Sequence, residues 1–128
     1  MLSVPSELLY TQSHEWIDPD DDPHRVGVTD FAQSELSDIV FVELPEVGQM
    51  LTKGIPCAVV ESTKAASDVY APATGIVAEI NTNLESQPEL VNQDPYGDGW
   101  LFVIELTQEE EMESLMDSDK YKEMLSQD

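Results

Sequence analysis

Lys64 is the residue whose position most clearly suggests chemistry. It is the only Lys or Arg between Lys53 and Lys120. β-forming residues flank its segment on both sides, and the small residues Ala65 and Ala66 follow it directly. A turn between two strands holds its central side chain out in solvent, where an enzyme can reach and modify the amine. The spacing alone favours an ordinary surface lysine.

Cys57 is the second candidate nucleophile. Its neighbours from Ile55 to Val60 are apolar, which predicts a buried and unreactive thiol. A catalytic cysteine needs a base, and neither His14 nor His24 is placed beside it by the sequence. One cysteine allows no internal disulfide and fits a reducing compartment. No nucleophile–base spacing typical of a hydrolase is visible.

The net charge narrows the choice of partners. Five Lys and Arg against 27 Asp and Glu give a formal charge of −22. Such a surface repels phosphate backbones and anionic membranes, so we expect neither nucleic-acid binding nor membrane association. Partners are expected to dock with neutral or basic faces, in a salt-sensitive way. A protein from a high-salt organism would also carry such a charge. Measuring stability as a function of salt concentration would test that explanation.

No targeting or membrane segment is evident. No apolar run approaches the roughly 18 residues that span a bilayer. The first seven residues lack the basic residues and apolar stretch of a secretory signal, and the Arg-rich character of a transit peptide. We therefore expect a cytoplasmic protein, or a mitochondrial one only if a presequence has been removed.

The hydrophobic pattern predicts mostly strands. Strands are expected at 8–10, 14–17, 25–28, 39–44, 50–51, 57–61, 69–71, 75–81 and 100–106. Residues 14–28 read as a hairpin around the proline- and aspartate-rich turn 18–23. Thr29 and Asp30 are expected to cap a short helix, with Gln33 completing an approximate capping box. Thr107 and Glu110 form a second capping box, which predicts a helix carrying Met112, Leu115 and Met116, and another helix is expected from Ser118.

The strands fit a flattened antiparallel fold. Residues 44–48 and 71–75 share a Pro-x-x-Gly spacing, with Lys64 between them. This echo suggests two similar β units related by a pseudo-twofold axis, as a β-sandwich or barrel. We expect one domain over 1–128, with a C-terminal helical extension at 107–128.

The residues around Lys64 resemble a known family. Residues 61–75, EST-K-AASDVYAPATG, are similar to the lipoyl-attachment segment of the glycine cleavage system H proteins. Further H-protein landmarks stand in family order at 13–16 (SHEW), 27–33 (GVTDFAQ), 38–45 (DIVFVELP) and 95–101 (PYGDGWL), and the C-terminal stretch near Tyr121 also matches. The resemblance implies a lipoyl/biotinyl-type barrel-sandwich hybrid.

The resemblance also implies a function. The chain would be a non-catalytic carrier with lipoate joined by an amide bond to Lys64. It would receive an aminomethyl group from a pyridoxal-phosphate glycine decarboxylase and deliver it to a tetrahydrofolate-dependent aminomethyltransferase, and dihydrolipoyl dehydrogenase would reoxidise the arm. Lipoyl-attaching enzymes would be further partners, and a monomer is expected. The hard chemistry belongs to the cofactors.

Supporting residues follow from the same resemblance. The loaded arm carries a cationic amine, so a cleft that excludes water should offer acceptors to it. The candidate acceptors are Ser13, Glu15, Asp68 and Glu35. The expected supports of the arm or of its attachment are Glu61, Ser62, Thr63, Ala65 and Gly75. Bland alternatives are solvated acids at Asp68 and Glu35, and structural hydrogen bonds at Ser13 and Glu15.

Three departures from the family pattern and four alternatives remain. The turn at 18–23 looks longer and more acidic than is usual in the family. Thr63 replaces a usual Val, and both are β-branched. Ser37 replaces a usual Gly and would cost stability if its backbone is left-handed. A biotin carrier expects Met on both sides of its lysine, unlike Thr63 and Ala65. A 2-oxoacid dehydrogenase acyltransferase domain is a less favoured alternative, because it lacks the N-terminal and C-terminal segments found here. A hydrolase or other enzyme is disfavoured because the sequence shows no nucleophile–base spacing. An H-like protein that relays lipoyl groups to other enzymes is not distinguished by sequence from a glycine cleavage carrier.

Overall fold

The computed structural model describes residues 2–127 and is built mainly from β-strands. The strands within this range are β1 Leu9–Tyr10, β2 Glu15–Ile17, β3 His24–Val28, β4 Ile39–Glu43, β5 Met50–Leu51, β6 Pro56–Ser62, β7 Ala66–Tyr70, β8 Gly75–Ile80 and β9 Phe102–Leu106. The helices are α1 Asp30–Leu36, α2 Asn83–Ser86, α3 Leu90–Gln93, α4 Ser118–Ser126 and a 3₁₀ helix at Glu109–Ser114. None of them has the length and apolarity needed to cross a bilayer.

Two antiparallel sheets form the fold. The larger has the strand order β1-β2-β3-β9-β8-β5, and the smaller has the order β4-β6-β7. The predicted hairpin at 14–28 is confirmed, with Glu15 opposite Val28 and Ile17 opposite Val26. The mostly antiparallel β architecture is therefore confirmed. The pseudo-twofold relation between two β units stays a prediction.

A single large core joins the two sheets. It takes alternating side chains from both, among them Val26, Phe102 and Ile104 from the larger sheet and Val60 and Val69 from the smaller. All five are at most 2% exposed. Because every second residue of a strand points to the same face, the alternating residues of β6 and β7, such as Glu61 and Asp68, point away from this core. The core thereby fixes which side chains of β6 and β7 face outward.

A second cluster holds the C-terminal helix. Leu8, Tyr10, Trp16 and Tyr121 are buried together. The rings of Tyr10 and Tyr121 stack with their centroids 4.7 Å apart. The Tyr121 hydroxyl lies 2.8 Å from both His14 Nδ1 and Thr29 Oγ1. These contacts fix α4 against β1, so the predicted helix from Ser118 is confirmed, with Asp117 as its N-cap.

The first helix begins as predicted and ends in a strained residue. Thr29 caps it by accepting a hydrogen bond from the Ala32 amide at 3.2 Å. Gln33 Nε2 donates to Asp30 Oδ1 at 2.7 Å. Ser37 has φ 69° and ψ −152°, a region that residues other than glycine rarely adopt. The glycine preference expected at this position is therefore confirmed.

The predicted helix after Thr107 is present only as a short 3₁₀ helix, and its predicted cap is wrong. Residues 109–114 form a 3₁₀ helix that Thr107 does not cap, since the Thr107 hydroxyl donates to the Thr74 carbonyl at 3.4 Å. Glu111 instead accepts from the Thr74 amide and hydroxyl at 2.6 and 3.0 Å. Met116 is extended and pairs with Tyr10 in a β-bridge. Contacts with Thr74, in the turn before β8, and with Tyr10 of β1 replace a continuous helix here.

The other differences are small. Helices α2 and α3 were not predicted, and each is only four residues long. Strand β7 begins at Ala66, three residues earlier than the expected strand at 69–71, and β6 extends to Ser62. The connection between them is therefore shorter than the polar segment suggests. Only residues 63–65 separate the two strands.

Candidate functional site

Lys64 is the central residue of the connection between β6 and β7. The Ser62 amide donates to the Ala65 carbonyl at 2.7 Å, which closes the turn. The Ser62 hydroxyl accepts from the amides of Lys64 and Ala65 at 3.2 and 3.1 Å, and donates to the Ala65 carbonyl at 3.1 Å. One serine hydroxyl thus satisfies several backbone groups of a tight turn. The turn has a defined shape without help from the lysine side chain.

The lysine side chain projects from this turn into solvent. Lys64 is exposed, and within residues 2–127 its Nζ makes no hydrogen bond or ion pair. The Thr63 amide donates to the Asp38 carbonyl at 3.0 Å, which ties the turn to the residue before β4. A fixed backbone with a free amine is the arrangement that an acylating enzyme requires. Thr63 and Ala65 are also exposed, so nothing bulky shields Nζ.

Glu15 is a buried acid far along the chain from Lys64. It is 1% exposed. Its Oε1 accepts from the hydroxyls of Thr11 and Ser13 at 2.5 and 2.6 Å, and its Oε2 accepts from the Tyr70 amide at 3.2 Å. Burial raises the pKa of Glu15, and the three hydrogen bonds partly oppose that rise by favouring the carboxylate. Among residues 2–127 no Lys, Arg or His forms an ion pair with Glu15, and a bound ammonium would supply one.

A cleft of about 370 Å³ opens beside Glu15. Ser13 and Glu15 line it with Tyr70, which joins it to the lysine hairpin through β7. The other lining residues come from β1, the turn before β6, the loop after β7 and the segment after the 3₁₀ helix: Tyr10, Thr11, Gln12, Lys53, Gly54, Ala71, Pro72, Ser114, Leu115 and Met116. The cleft thus combines apolar walls with one buried carboxylate.

Two expected acceptors lie elsewhere. Asp68 lies on β7 in a different pocket, with Glu43 and Cys57 among its lining residues. Glu35 is exposed on α1 and does not line the cleft beside Glu15. Of the four candidate acceptors, the structure therefore brings together Ser13 and Glu15. Glu61 is exposed at the end of β6, opposite Ala66 on β7.

Gly75 has a packing role that the sequence did not reveal. It is buried in β8 opposite Leu106 of β9. A Cβ atom at this position would lie 2.3 Å from the Glu105 carbonyl oxygen and 2.9 Å from Ile104 Cγ1. Only a residue without a side chain allows the two strands to approach so closely. Its place in the larger sheet accounts for the glycine without any contact to Lys64.

Cys57 is half-buried rather than fully buried. It packs against the main core from β6. Burial raises its pKa to about 12, and the charge of Glu15 adds to that rise. A thiol with such a pKa carries almost no thiolate at neutral pH. The expected inert character of this cysteine is consistent with its surroundings.

Comparison with known proteins identifies the family. A model of the glycine cleavage H-protein family matches residues 8–128. The chain belongs to the glycine cleavage H-protein family. A glycine cleavage system H protein from Listeria monocytogenes is 49% identical over 124 residues, covering 97% of this chain and 99% of that protein. One from Shewanella frigidimarina is 50% identical over 129 residues, with full coverage of both.

A solved H-protein structure shares the fold. The crystal structure of the glycine cleavage system H protein from Mycobacterium marinum superposes with a TM-score of 0.86 at 39% identity, and covers 96% of this chain and 99% of that one. An H protein from Thermus thermophilus is 49% identical over 124 residues. The two antiparallel sheets and the C-terminal helix of this chain are therefore those of the lipoyl-domain type found in H proteins.

Three residues of this H-family site were missed by sequence reasoning. Thr11 and Tyr70 both bond Glu15, and Lys53 crosses the edge of the cleft to the Glu111 carbonyl at 3.4 Å and to the Ser114 hydroxyl. Thr11 stands four residues before Glu15 in a turn, a spacing that offered a signal. Tyr70 and Lys53 gave none, because their contacts join segments more than 50 residues apart.

Proposed function

We propose that this chain is the lipoyl carrier of a glycine cleavage system, with lipoate joined by an amide bond to Lys64 Nζ. It carries the aminomethyl group from a pyridoxal-phosphate glycine decarboxylase to a tetrahydrofolate-dependent aminomethyltransferase. Membership of the H-protein family and the exposed Lys64 on a hydrogen-bonded turn support this assignment. The chain itself is not an enzyme.

The residues present fit this cofactor. Amide formation needs an accessible amine on a positioned backbone, and the Ser62 hydroxyl holds the turn while Lys64 stays exposed. Lipoate joined to Lys64 would supply the disulfide that accepts the aminomethyl group, and dihydrolipoyl dehydrogenase would be the enzyme that reoxidises it. The protein supplies the position of the attachment point and a sheltered environment.

Shelter for the cationic amine is assigned to the cleft beside Glu15. The carboxylate of Glu15 is already held by the Thr11 and Ser13 hydroxyls, so its orientation costs no further ordering when an ammonium binds. Tyr10, Leu115 and Met116 give the cleft apolar walls that limit access of water. Asp68 and Glu35 lie outside it, so we assign the acceptor role to Glu15, with Ser13 positioning it.

The charge of the chain shapes its encounters. With a formal charge of −22, its partners are expected to present basic rims, and association should weaken as salt is added. We further propose a cytoplasmic location, which fits the half-buried free thiol of Cys57. The same acidic surface would then attract each of the partner enzymes that act in turn on the carrier.

The test is mass analysis of the protein purified from its own source. We expect one lipoyl group on the peptide containing Lys64, which removes one positive charge and takes the formal charge from −22 to −23. Lys64→Arg should abolish the modification, whereas the matched control Lys120→Arg, at an exposed residue of α4, should leave it intact. Native protein without lipoate on Lys64 would refute the proposal.

A further inference from the structure

Two large apolar side chains are exposed next to the Lys64 turn. Val40 and Phe41 of β4 are 54% and 51% exposed. Phe41 pairs with Glu61 on β6, and Glu61 pairs with Ala66 on β7. Residues opposite each other in a sheet share a face. Phe41 therefore lies on the outer face of the smaller sheet, in the row of side chains nearest to the lysine. Val40 and Phe41 are called the β4 patch below.

The β4 patch and the turn form one rigid surface. Ile39, at the start of β4, pairs with Ser62, the last residue before the turn. The Thr63 amide donates to the Asp38 carbonyl at 3.0 Å, directly before β4. Ile39 is itself buried in the main core. An enzyme that engages Lys64 thus meets the β4 patch at a fixed position, without a change in the shape of the carrier.

Acidic side chains surround the β4 patch. The next row of the outer face contains Glu43, Val59 and Asp68, in register across the three strands. Glu43 and Asp68 are exposed, as are Asp38 before β4 and Glu61 beside Phe41. Lys64 is the only Lys or Arg in residues 38–43 and 56–70, which contain the three strands and the turn between β6 and β7. A partner surface that complements the β4 patch and its acidic surroundings has an apolar pocket for Phe41 and a basic rim.

We propose that the β4 patch and its acidic rim are the docking surface for the enzyme that acylates Lys64. This inference rests on the proposed function and names the partner that the surface serves. In the reaction, Nζ of Lys64 attacks the carbonyl carbon of a lipoyl adenylate made from lipoate and ATP. The new C–N bond forms, the acyl–oxygen bond breaks with release of AMP, and the nitrogen loses a proton to solvent.

The position of the reacting atom selects this partner over the others. Nζ is the reacting atom only during acylation, so the acylating enzyme must bring its active site to the turn itself. Its contact surface then extends over the adjacent strand β4. The decarboxylase, the transferase and the dehydrogenase act on the far end of the finished arm and have no such need to cover the turn. Aromatic residues at the centre of an interface commonly carry much of its binding energy.

The experiment measures lipoylation of the unmodified full chain by a purified lipoate–protein ligase with lipoate and ATP. Phe41→Thr introduces a β-branched residue, which strands accommodate well, and removes the aromatic ring. We expect KM for the carrier to rise about tenfold with little change in kcat. The matched control is Ile76→Thr on β8 of the other sheet, where the side chain is 39% exposed and KM should stay unchanged. Urea midpoints of both variants establish that each is folded.

The acidic rim has its own variant. Glu43→Gln combined with Asp68→Asn should raise KM at low ionic strength, and the difference from the wild type should vanish at high salt. Both side chains are exposed, so their removal leaves no buried group unpaired. Equal salt dependence for the variant and the wild type would overturn the electrostatic part of the proposal.

The remaining outcomes separate the possible occupants. An unchanged ligase KM for Phe41→Thr overturns the proposal. So does a defect that appears only when the lipoylated carrier is loaded by the decarboxylase, or a change confined to self-association at rising concentration. A wild-type chain that the ligase does not modify on Lys64, and that carries no lipoate when purified from its source, refutes the proposed function itself.

Discussion

Ser37→Gly should stabilise the protein. Ser37 has φ 69° and ψ −152°, where the side chain of any residue other than glycine is strained by about 1–3 kcal/mol. Its two backbone hydrogen bonds, to the Gln33 carbonyl at 3.1 Å and from Asn92 Nδ2 at 2.8 Å, do not depend on its side chain. Glycine adds about 0.4–1 kcal/mol of conformational freedom to the unfolded chain, which opposes part of the gain.

The net gain is therefore about 1 kcal/mol, which corresponds to a rise in Tm of about 4 °C for a chain of this size. Urea and thermal unfolding followed by circular dichroism measure both quantities. The matched control is Ser34→Gly, three residues earlier on an exposed position inside α1. There the backbone is helical, so glycine should destabilise by about 0.5 kcal/mol.

The decisive result is a gain in stability for Ser37→Gly together with a loss for Ser34→Gly. If Ser37→Gly is neutral, or destabilises as much as Ser34→Gly, then the backbone at residue 37 is not strained and the reasoning fails. The outcome also bears on the site, because Ser37 precedes Asp38, whose carbonyl holds the Lys64 turn through the Thr63 amide. A relaxed residue 37 should leave lipoylation of Lys64 unchanged.

Two further predictions concern Glu15 and Gly75. Because the folded pKa of Glu15 is raised above its ordinary value of 4.5, the folded state binds the extra proton in the interval between those two pKa values, and stability falls as pH rises through it. Urea unfolding at a series of pH values should show a smaller fall in stability for Glu15→Gln, and an unchanged fall for the exposed control Glu113→Gln. In the Glu15→Ala variant, the aminomethyl-loaded arm should be hydrolysed faster than in the wild type. An unchanged hydrolysis rate removes Glu15 from the acceptor role. Gly75→Ala should cost about 1–3 kcal/mol, because its Cβ would meet the Glu105 carbonyl oxygen at 2.3 Å. Gly48→Ala, with φ 90° and open space around it, should cost about 1 kcal/mol in the same urea assay. A stable Gly75→Ala chain that the ligase modifies poorly would instead show a direct role in recognition.

The strands were predictable because their signal is local. Alternation of apolar and polar residues marked the strand beginning at Gly75, and the hairpin at 14–28 was marked by apolar segments on both sides of the Pro- and Asp-rich turn. The first helix was equally predictable from the sequence, because Thr29 lies next to the backbone amides that it caps. The segment after Thr107 was not, because Glu111 is bonded by Thr74, a residue 37 positions away, rather than by its own helix.

From the sequence alone we could predict Lys64 as the attachment point and recognise the family resemblance. A lone lysine among small residues between two strands is a local pattern, and the residues around it carry the likeness to H proteins. The surroundings of Lys64 became visible only in the folded protein. It placed Ser13 and Glu15 in a cleft without Asp68 or Glu35, explained Gly75 by the approach of β9, and set Phe41 beside the turn. These relations depend on which strands lie side by side, and strand pairing joins residues that are distant in the chain.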